Sequence, residues 1–234
     1  MKNKFLNALV AGVFLISVLA SCSKTEVDTN VYVDSYINAI TDNGVTKYSV
    51  MHTAYCFVQL GSVGVKGVAG TSKPLTNFSD QGYSFYTPVV PATYTTTVPV
   101  AESFTYDIVY SSGETAVRTN AIDGRSLLPP QNLKAPMGPT EITLSWSPVA
   151  NAEAYKVRIF SEDPVTLNKI LIYESNYLVP KDPVSELSMP FSLISLSPYL
   201  SNTLIFDVSA FIFEQGKDTF QAVSVATLKQ KYGV

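Results

Sequence analysis

Few residues in this chain offer catalytic chemistry. Its 234 residues include one histidine, His52, and two cysteines, Cys22 and Cys56. His52 and Cys56 are four apart in an alternating apolar stretch. On a strand they share a face but stand about 13 Å apart, too far for a Cys-His nucleophile pair. Cys56 is then a free thiol, and His52 reads as a core histidine. A Ser-His-Asp triad could be built only around His52, and a histidine-rich zinc site is excluded by count. Glu102, Asp107, Glu162, Asp163 and Glu174 supply enough acids for a glycosidase, which needs two carboxylates about 5 to 10 Å apart. None of them forms a recognisable constellation. Ser161-Glu162-Asp163 lacks the dense oxygen ligands of a calcium loop. No metal and no cofactor is expected, and no catalytic residue is assigned.

The remaining reactive residue is Cys22, at the end of Leu19-Ala20-Ser21-Cys22. Lys2 and Lys4 precede an almost wholly apolar run from Ala8 to Leu19, broken only by Gly12 and Ser17. That run suits a secretory signal and is short of the roughly 20 residues a membrane-spanning helix needs. The tetrapeptide resembles the lipobox of bacterial lipoproteins. The resemblance implies cleavage before Cys22, a diacylglyceryl thioether on its sulfur and a third acyl chain on its new amino group. Each buried methylene contributes about 0.8 kcal/mol, so two or three chains anchor firmly where one is marginal. Residues 1–21 are thus expected to be a signal peptide and 22–30 a lipidated tether. No aspartate follows Cys22 directly, and Lys24 with Glu26 and Asp28 partly resembles the surface-export signals of some Gram-negative lipoproteins. The expected location is the outer membrane, lipid-anchored and facing the cell surface, with the periplasmic face as the alternative.

Charged residues are only 15% and aromatic residues 12%, with 14 Tyr and 14 Pro. This is too apolar for disorder and suits exported β-domains. Losing Lys2 and Lys4 with the signal takes the net charge from −3 to −5. An acidic chain without a basic cluster is a poor partner for nucleic acid. With Cys22 lipidated, Cys56 has no partner for an internal disulfide.

The elements that would position any site read as strands. In residues 31–122, Val31 to Ala39 and a long run from Val45 to Leu60 flank Asn43-Gly44, a hairpin signal. Tyr48, Val50, His52, Ala54, Cys56, Val58 and Leu60 form its expected core face, with a bend or bulge inside so long a run. Gly61, Gly64, Gly67 and Gly70 lack the Gly-Lys-Ser/Thr ending of a phosphate loop. A mobile surface loop is expected there, with a ligand loop as the minor alternative. Tyr83 and Tyr86, near loop ends, could stack on sugar rings or complete a core. A strand through Tyr94, Thr96, Val98 and Val100 precedes a hairpin, with Phe104 to Tyr110 and Glu114 to Ile122 flanking Ser111-Ser112-Gly113. These last strands resemble the end of an immunoglobulin-like sandwich.

Residues 123–128 read as a linker, stiffened by Pro129 and Pro130. Pro130-Gln131-Asn132-Leu133, Ile142-Thr143-Leu144-Ser145-Trp146-Ser147-Pro148 and Ala154-Tyr155-Lys156-Val157-Arg158-Ile159 resemble a fibronectin type III domain over 129–234. So do Leu196-Ser197-Pro198 and Leu204 to Ala210. The resemblance implies Trp146, Tyr155, Phe206 and Val208 as core, with Thr219 to Leu228 closing the fold. The family's corner tyrosine would fall at Leu204, which cannot make its hydrogen bond. Phe211 and Phe213 lie on the opposite parity from Phe206, Val208 and Ala210. They mark an interface if that face is open, or core if the strand bulges.

The expected fold is all-β: two tandem immunoglobulin/fibronectin III-like β-sandwich domains after a lipoprotein signal peptide. The expected function is a non-catalytic cell-surface binding or interaction module. Its partners would be the membrane, through the anchor, and a glycan, matrix or outer-membrane protein. A structural subunit of a fimbrial or other surface assembly is the alternative, and a glycan-active enzyme the third reading.

Overall fold

A computed structural model describes residues 30–180, 186–217 and 219–232. Cys22, the signal and nearly all of the tether lie outside the described residues. The chain is all-β. Its first half holds β1 (Tyr32–Asp42), β2 (Val45–Tyr55), β3 (Leu60–Gly67), β4 (Lys73–Pro74), β5 (Thr76–Asn77), β6 (Ser84–Tyr86), β7 (Glu102–Tyr110) and β8 (Thr115–Ile122). Its second half holds β9 (Gln131–Lys134), β10 (Glu141–Ser147), β11 (Ala154–Glu162), β12 (Lys169–Glu174), β13 (Leu187–Ser192), β14 (Thr203–Phe213) and β15 (Phe220–Lys231). A single-turn helix, α1 (Leu193–Leu196), follows β13, and its N-terminus is capped by the Ser192 side chain.

One sheet runs through the whole molecule. Its eight strands follow the order β12-β11-β14-β15-β1-β2-β6-β5. β1 and β2 pair from Tyr32 opposite Tyr55 to Asp42 opposite Val45. Asn43 and Gly44 turn the hairpin with φ of 50° and 78°. Both central residues have positive φ, as a type I′ turn requires. The other edge of β1 runs parallel to β15, with Ile37 beside Ala222 and Ile40 beside Val225.

Two smaller sheets cover it. β13-β10-β9 encloses one core with Trp146, Tyr155, Phe206 and Val208, each 0–1% exposed. β4-β3-β7-β8 encloses a second core with Val63, Tyr106, Ile108 and Ile37. Ile37 belongs to one core and Ala222 to the other, yet the two are ladder partners. Partners in register project to the same side of a sheet. Both small sheets therefore pack on the same face of the eight-stranded sheet. Leu127, in the stretch read as a linker, is 1% exposed and belongs to the Trp146 core.

Three local expectations change. The long run from Val45 breaks after Tyr55 and restarts as β3 at Leu60, which moves to the other sheet. The expected single strand with an internal bend or bulge is thus two strands in different sheets. The glycine run is not a loop: Gly61, Gly64 and Gly67 lie within β3. A Cβ on Gly64 would stand 2.5 Å from Ser72 Oγ, and one on Gly67 would stand 2.0 Å from Glu102 Oε1. These glycines admit close neighbours rather than loop motion. Finally, Tyr94 to Val100 forms no strand. A 3₁₀ turn at Pro91–Thr93 leads to a single bridge between Tyr48 and Thr95, because Pro91 and Pro99 interrupt the ladder.

Candidate interaction surfaces

The reactive residues are placed in structural roles. Ser35 and His52 are ladder partners on β1 and β2. Ser35 Oγ lies 3.0 Å from His52 Nδ1 and 2.6 Å from Tyr106 Oη. Tyr106 Oη in turn donates to the Asp34 carbonyl at 2.6 Å. The Ser–His distance would suit a nucleophile and its base. Ser35, however, is 0% exposed between the two sheets, so no substrate reaches it. Burial, with Lys73 adding, lowers the His52 pKa to about 4 and keeps the ring neutral. Cys56 is 0% exposed in the same core.

The candidate acids are engaged too. Asp107 pairs with Lys66 at 2.9 Å, and Glu162 with Lys229 at 3.1 Å. Glu174 pairs with Lys156 at 2.6 Å and also with Arg158. Asp163 Oδ1 accepts from Val165 N and Thr166 N, capping its own turn. Glu102 Oε1 accepts from Val68 N at 3.3 Å. Hydrogen bonds from Lys229 hold Glu162 below the usual carboxylate range, those from Lys156 and Arg158 do the same for Glu174, and the turn N–H groups do so for Asp163. A glycosidase acid needs the opposite shift. Among the described residues no three His, Cys, Asp or Glu side chains gather as metal ligands.

Phe211 and Phe213 lie in an aromatic seam. Phe211 is 6% exposed, and the β14–β15 register shifts between Ile212 and Phe213. Tyr177 stands edge-on to both, at 5.2 and 5.5 Å between ring centroids. Phe220 packs on both at 5.2 and 5.6 Å and reaches Tyr36 of β1 at 5.8 Å. The seam therefore links the two halves from the face opposite the cores.

Beside this seam is an open cleft of about 650 Å³, lined by Arg125, Glu153, Phe213 and the hairpin residues Glu214 to Lys217. An adjoining hollow of about 440 Å³ shares Arg125, Glu214, Gln215 and Lys217 and adds Asn120, Asp123 and Gln221. The walls are pre-organised. Asp123 holds the Arg125 guanidinium, and Glu153 Oε2 accepts from Phe213 N at 3.2 Å. Glu214 binds Lys217 and accepts from Asn120 Nδ2 at 3.1 Å. Burial pushes Glu214 upward, but these hydrogen bonds outweigh it and keep the carboxylate charged. Behind the cleft, Asp34 Oδ2 accepts from Phe220 N at 2.9 Å, while its Oδ1 has no partner. Burial raises Asp34 to about 6, with Glu214 adding to the rise against the Phe220 N–H. Sequence reasoning missed this site, because its residues converge from β8, the 123–125 turn, the turn before β11 and the β14–β15 hairpin.

Tyr83 is 40% exposed, and its carbonyl accepts from Cys56 N at 3.0 Å. Tyr86 is half-buried on β6, with Phe78 edge-on at 5.9 Å. Neither lines the cleft.

The chain matches no protein-family model and no curated protein. Three of the solved structures it matches illustrate how weak the similarity is. Against a 1.5-MDa bacterial ice-binding adhesin the identity is 9% and the TM-score 0.26, covering 87% of this chain and 65% of that one. Against the chicken interferon gamma receptor alpha chain the values are 12% and 0.29, covering 87% and 97%. A DUF4785 family protein from Legionella pneumophila gives 13% and 0.24, covering 77% and 52%. This chain thus spans under two thirds of the adhesin chain and about half of the DUF4785 protein. Likeness at this level shows neither family nor function.

Proposed function

We propose that this protein is a non-catalytic interaction module, held at the outer membrane by lipidated Cys22, whose ligand surface is the junction cleft. The observation carrying this reading is that Phe213 lines one cleft together with Arg125, Glu153, Glu214 and Lys217. An aromatic face beside fixed charged donors and acceptors suits a sugar, which offers an apolar C–H face ringed by hydroxyls. Charged groups already positioned by Asp123 and Asn120 need little reordering on binding. A glycan is therefore the proposed ligand class.

Glycan screening of the purified protein, followed by calorimetry on any hit, tests this. Arg125→Ala and Lys217→Ala should each abolish or strongly weaken binding while leaving the far-UV circular dichroism unchanged. A glycan bound equally well by both variants would place the ligand elsewhere. Binding to none would end the glycan reading.

A second reading, a subunit of a surface assembly, draws support from β12. It is one edge of the eight-stranded sheet, and Ile170 and Leu171 on it are each 52% exposed. An open apolar edge is where a strand from another chain would add. Multimers in crosslinked membranes, lost in Ile170→Lys, would favour it.

A further inference from the structure

A second aromatic surface lies where the described chain begins. Tyr32, the first residue of β1, is the ladder partner of Tyr55 at the end of β2. Phe57 stands edge-on to both rings, at 6.4 Å from Tyr32 and 5.1 Å from Tyr55. Tyr32, Tyr55 and Phe57 are 54%, 43% and 57% exposed. Tyr86 lies opposite Thr53, diagonal to Tyr55 on the same face, and carries Phe78, itself 59% exposed. Five aromatic side chains thus form one corner of the eight-stranded sheet, on the face that neither small sheet covers.

This corner is almost uncharged. From Tyr48 to Val65 the chain has no Asp, Glu, Lys or Arg, from Pro74 to Tyr86 it has only Asp80, and on β1 Asp34, opposite Thr53 on the same face, is already withdrawn from solvent at 7% exposure. Covering these rings therefore desolvates few charges. Cys22 precedes Tyr32 by ten residues. Ten residues reach at most about 35 Å, however they are arranged. A lipid on Cys22 would hold Tyr32 within about 35 Å of its own bilayer.

We propose that the corner is a membrane contact: Tyr32, Tyr55 and Phe57 seat at the headgroup–acyl boundary beside the anchor and fix the orientation of the protein. The proposal rests on the lipid-anchored reading above. Rings with one apolar body and one polar tip are suited to that depth, as in the aromatic belts of membrane proteins. The acyl chains supply the attachment, so contact by the rings is effectively intramolecular and needs little affinity of its own. It sets which side of the molecule faces the bilayer.

The test uses the lipidated protein purified from membranes and reconstituted into vesicles of phosphatidylethanolamine and phosphatidylglycerol at 3:1. The only native tryptophan, Trp146, is 1% exposed in the second core and gives a constant background. Phe57→Trp, or Tyr32→Trp as a second reporter, places an indole at the corner. Val117→Trp, at a site 60% exposed on β8, is the control. The corner indole should shift its emission to the blue and lose intensity when the vesicles carry brominated acyl chains, and the control should do neither. Flotation of the wild type against Cys22→Ser tests the anchor separately. Flotation of the wild type without quenching at either corner position would overturn the membrane contact and leave the anchor standing. Failure of the wild type to float would overturn both.

Discussion

Ile37 and Ala222 stand side by side in a parallel ladder, one from the first strand of the chain and one from the last. The pairing makes one continuous sheet from strands that otherwise close two separate cores. It also removes the open edges that β1 and β15 would present alone.

Unfolding should therefore be a single transition. Trp146 fluorescence, which reports the second core, and far-UV circular dichroism, which reports both, should give coincident urea curves. A fragment spanning 129–234 should self-associate through the bared edge of β15, as size-exclusion chromatography would show. Two separated transitions, or a stable monomeric fragment, would make the pairing incidental.

Asp34 sets one pH response. Its carboxyl is raised from 3.8 to about 6, so the folded chain holds a proton that the unfolded chain releases. Its stabilising effect is complete below pH 3.8 and is lost as pH rises through about 6. Asp34→Asn keeps an acceptor for Phe220 N–H and removes the buried charge. Stability near pH 7.5 should rise by about 1–3 kcal/mol, with no gain near pH 3.8. Urea denaturation at the two pH values measures this.

His52 sets the opposite response. Its pKa falls from 6.5 to about 4, so the unfolded chain takes up the proton first. The neutral ring's contribution is complete above pH 6.5 and is lost as pH falls toward 4. Between those values it opposes Asp34. His52→Asn should remove the rise in stability between pH 4 and 6.5 that belongs to the imidazole, whatever the change in absolute stability. A pH series of urea midpoints reads the slope.

Tyr106→Phe should cost about 1–3 kcal/mol in urea denaturation, because the Ser35 hydroxyl and the Asp34 carbonyl both lose a buried partner. The pH dependence belonging to His52 should persist in this variant.

Gly82→Ala should destabilise by a similar amount. Gly82 has φ of +77°, and an added Cβ would stand 2.9 Å from the Leu60 carbonyl. Strain at such a position costs about 1–3 kcal/mol. The adjacent Tyr83 carbonyl accepts from Cys56 N, so the buried thiol should also react faster with a disulfide reagent.

Much of the local structure was legible in the residues. Asn43-Gly44 tolerates positive φ at both positions and so announces its hairpin. The alternation from Tyr48 to Leu60 placed Tyr48, Ala54, Cys56 and Leu60 inside, although Met51, assigned to the outer parity, is buried as well. Met51 lies against the Tyr94 hydroxyl, in a segment that covers the back of the sheet without forming the expected strand. Leu204 fills the core at 0% exposure, while the hydroxyl of Tyr155 accepts from Val149 N at 2.6 Å. The Met51–Tyr94 contact joins residues 43 apart, which no local pattern announces.

By itself the sequence determined the all-β class, the hairpin turns, the aromatic core around Trp146 and the scarcity of catalytic groups. The Trp146 core was implied by the resemblance to fibronectin type III domains, and the rest follows from side-chain period, turn chemistry and composition, which act over a few residues. Only the tertiary structure decided that β1 and β15 share an edge, that Ser35 meets His52 between two sheets, and that Phe213 lines one cleft with Arg125 and Lys217. Those relations join residues far apart in the chain. They depend on strand order and register, which many sequences of the same pattern could satisfy differently.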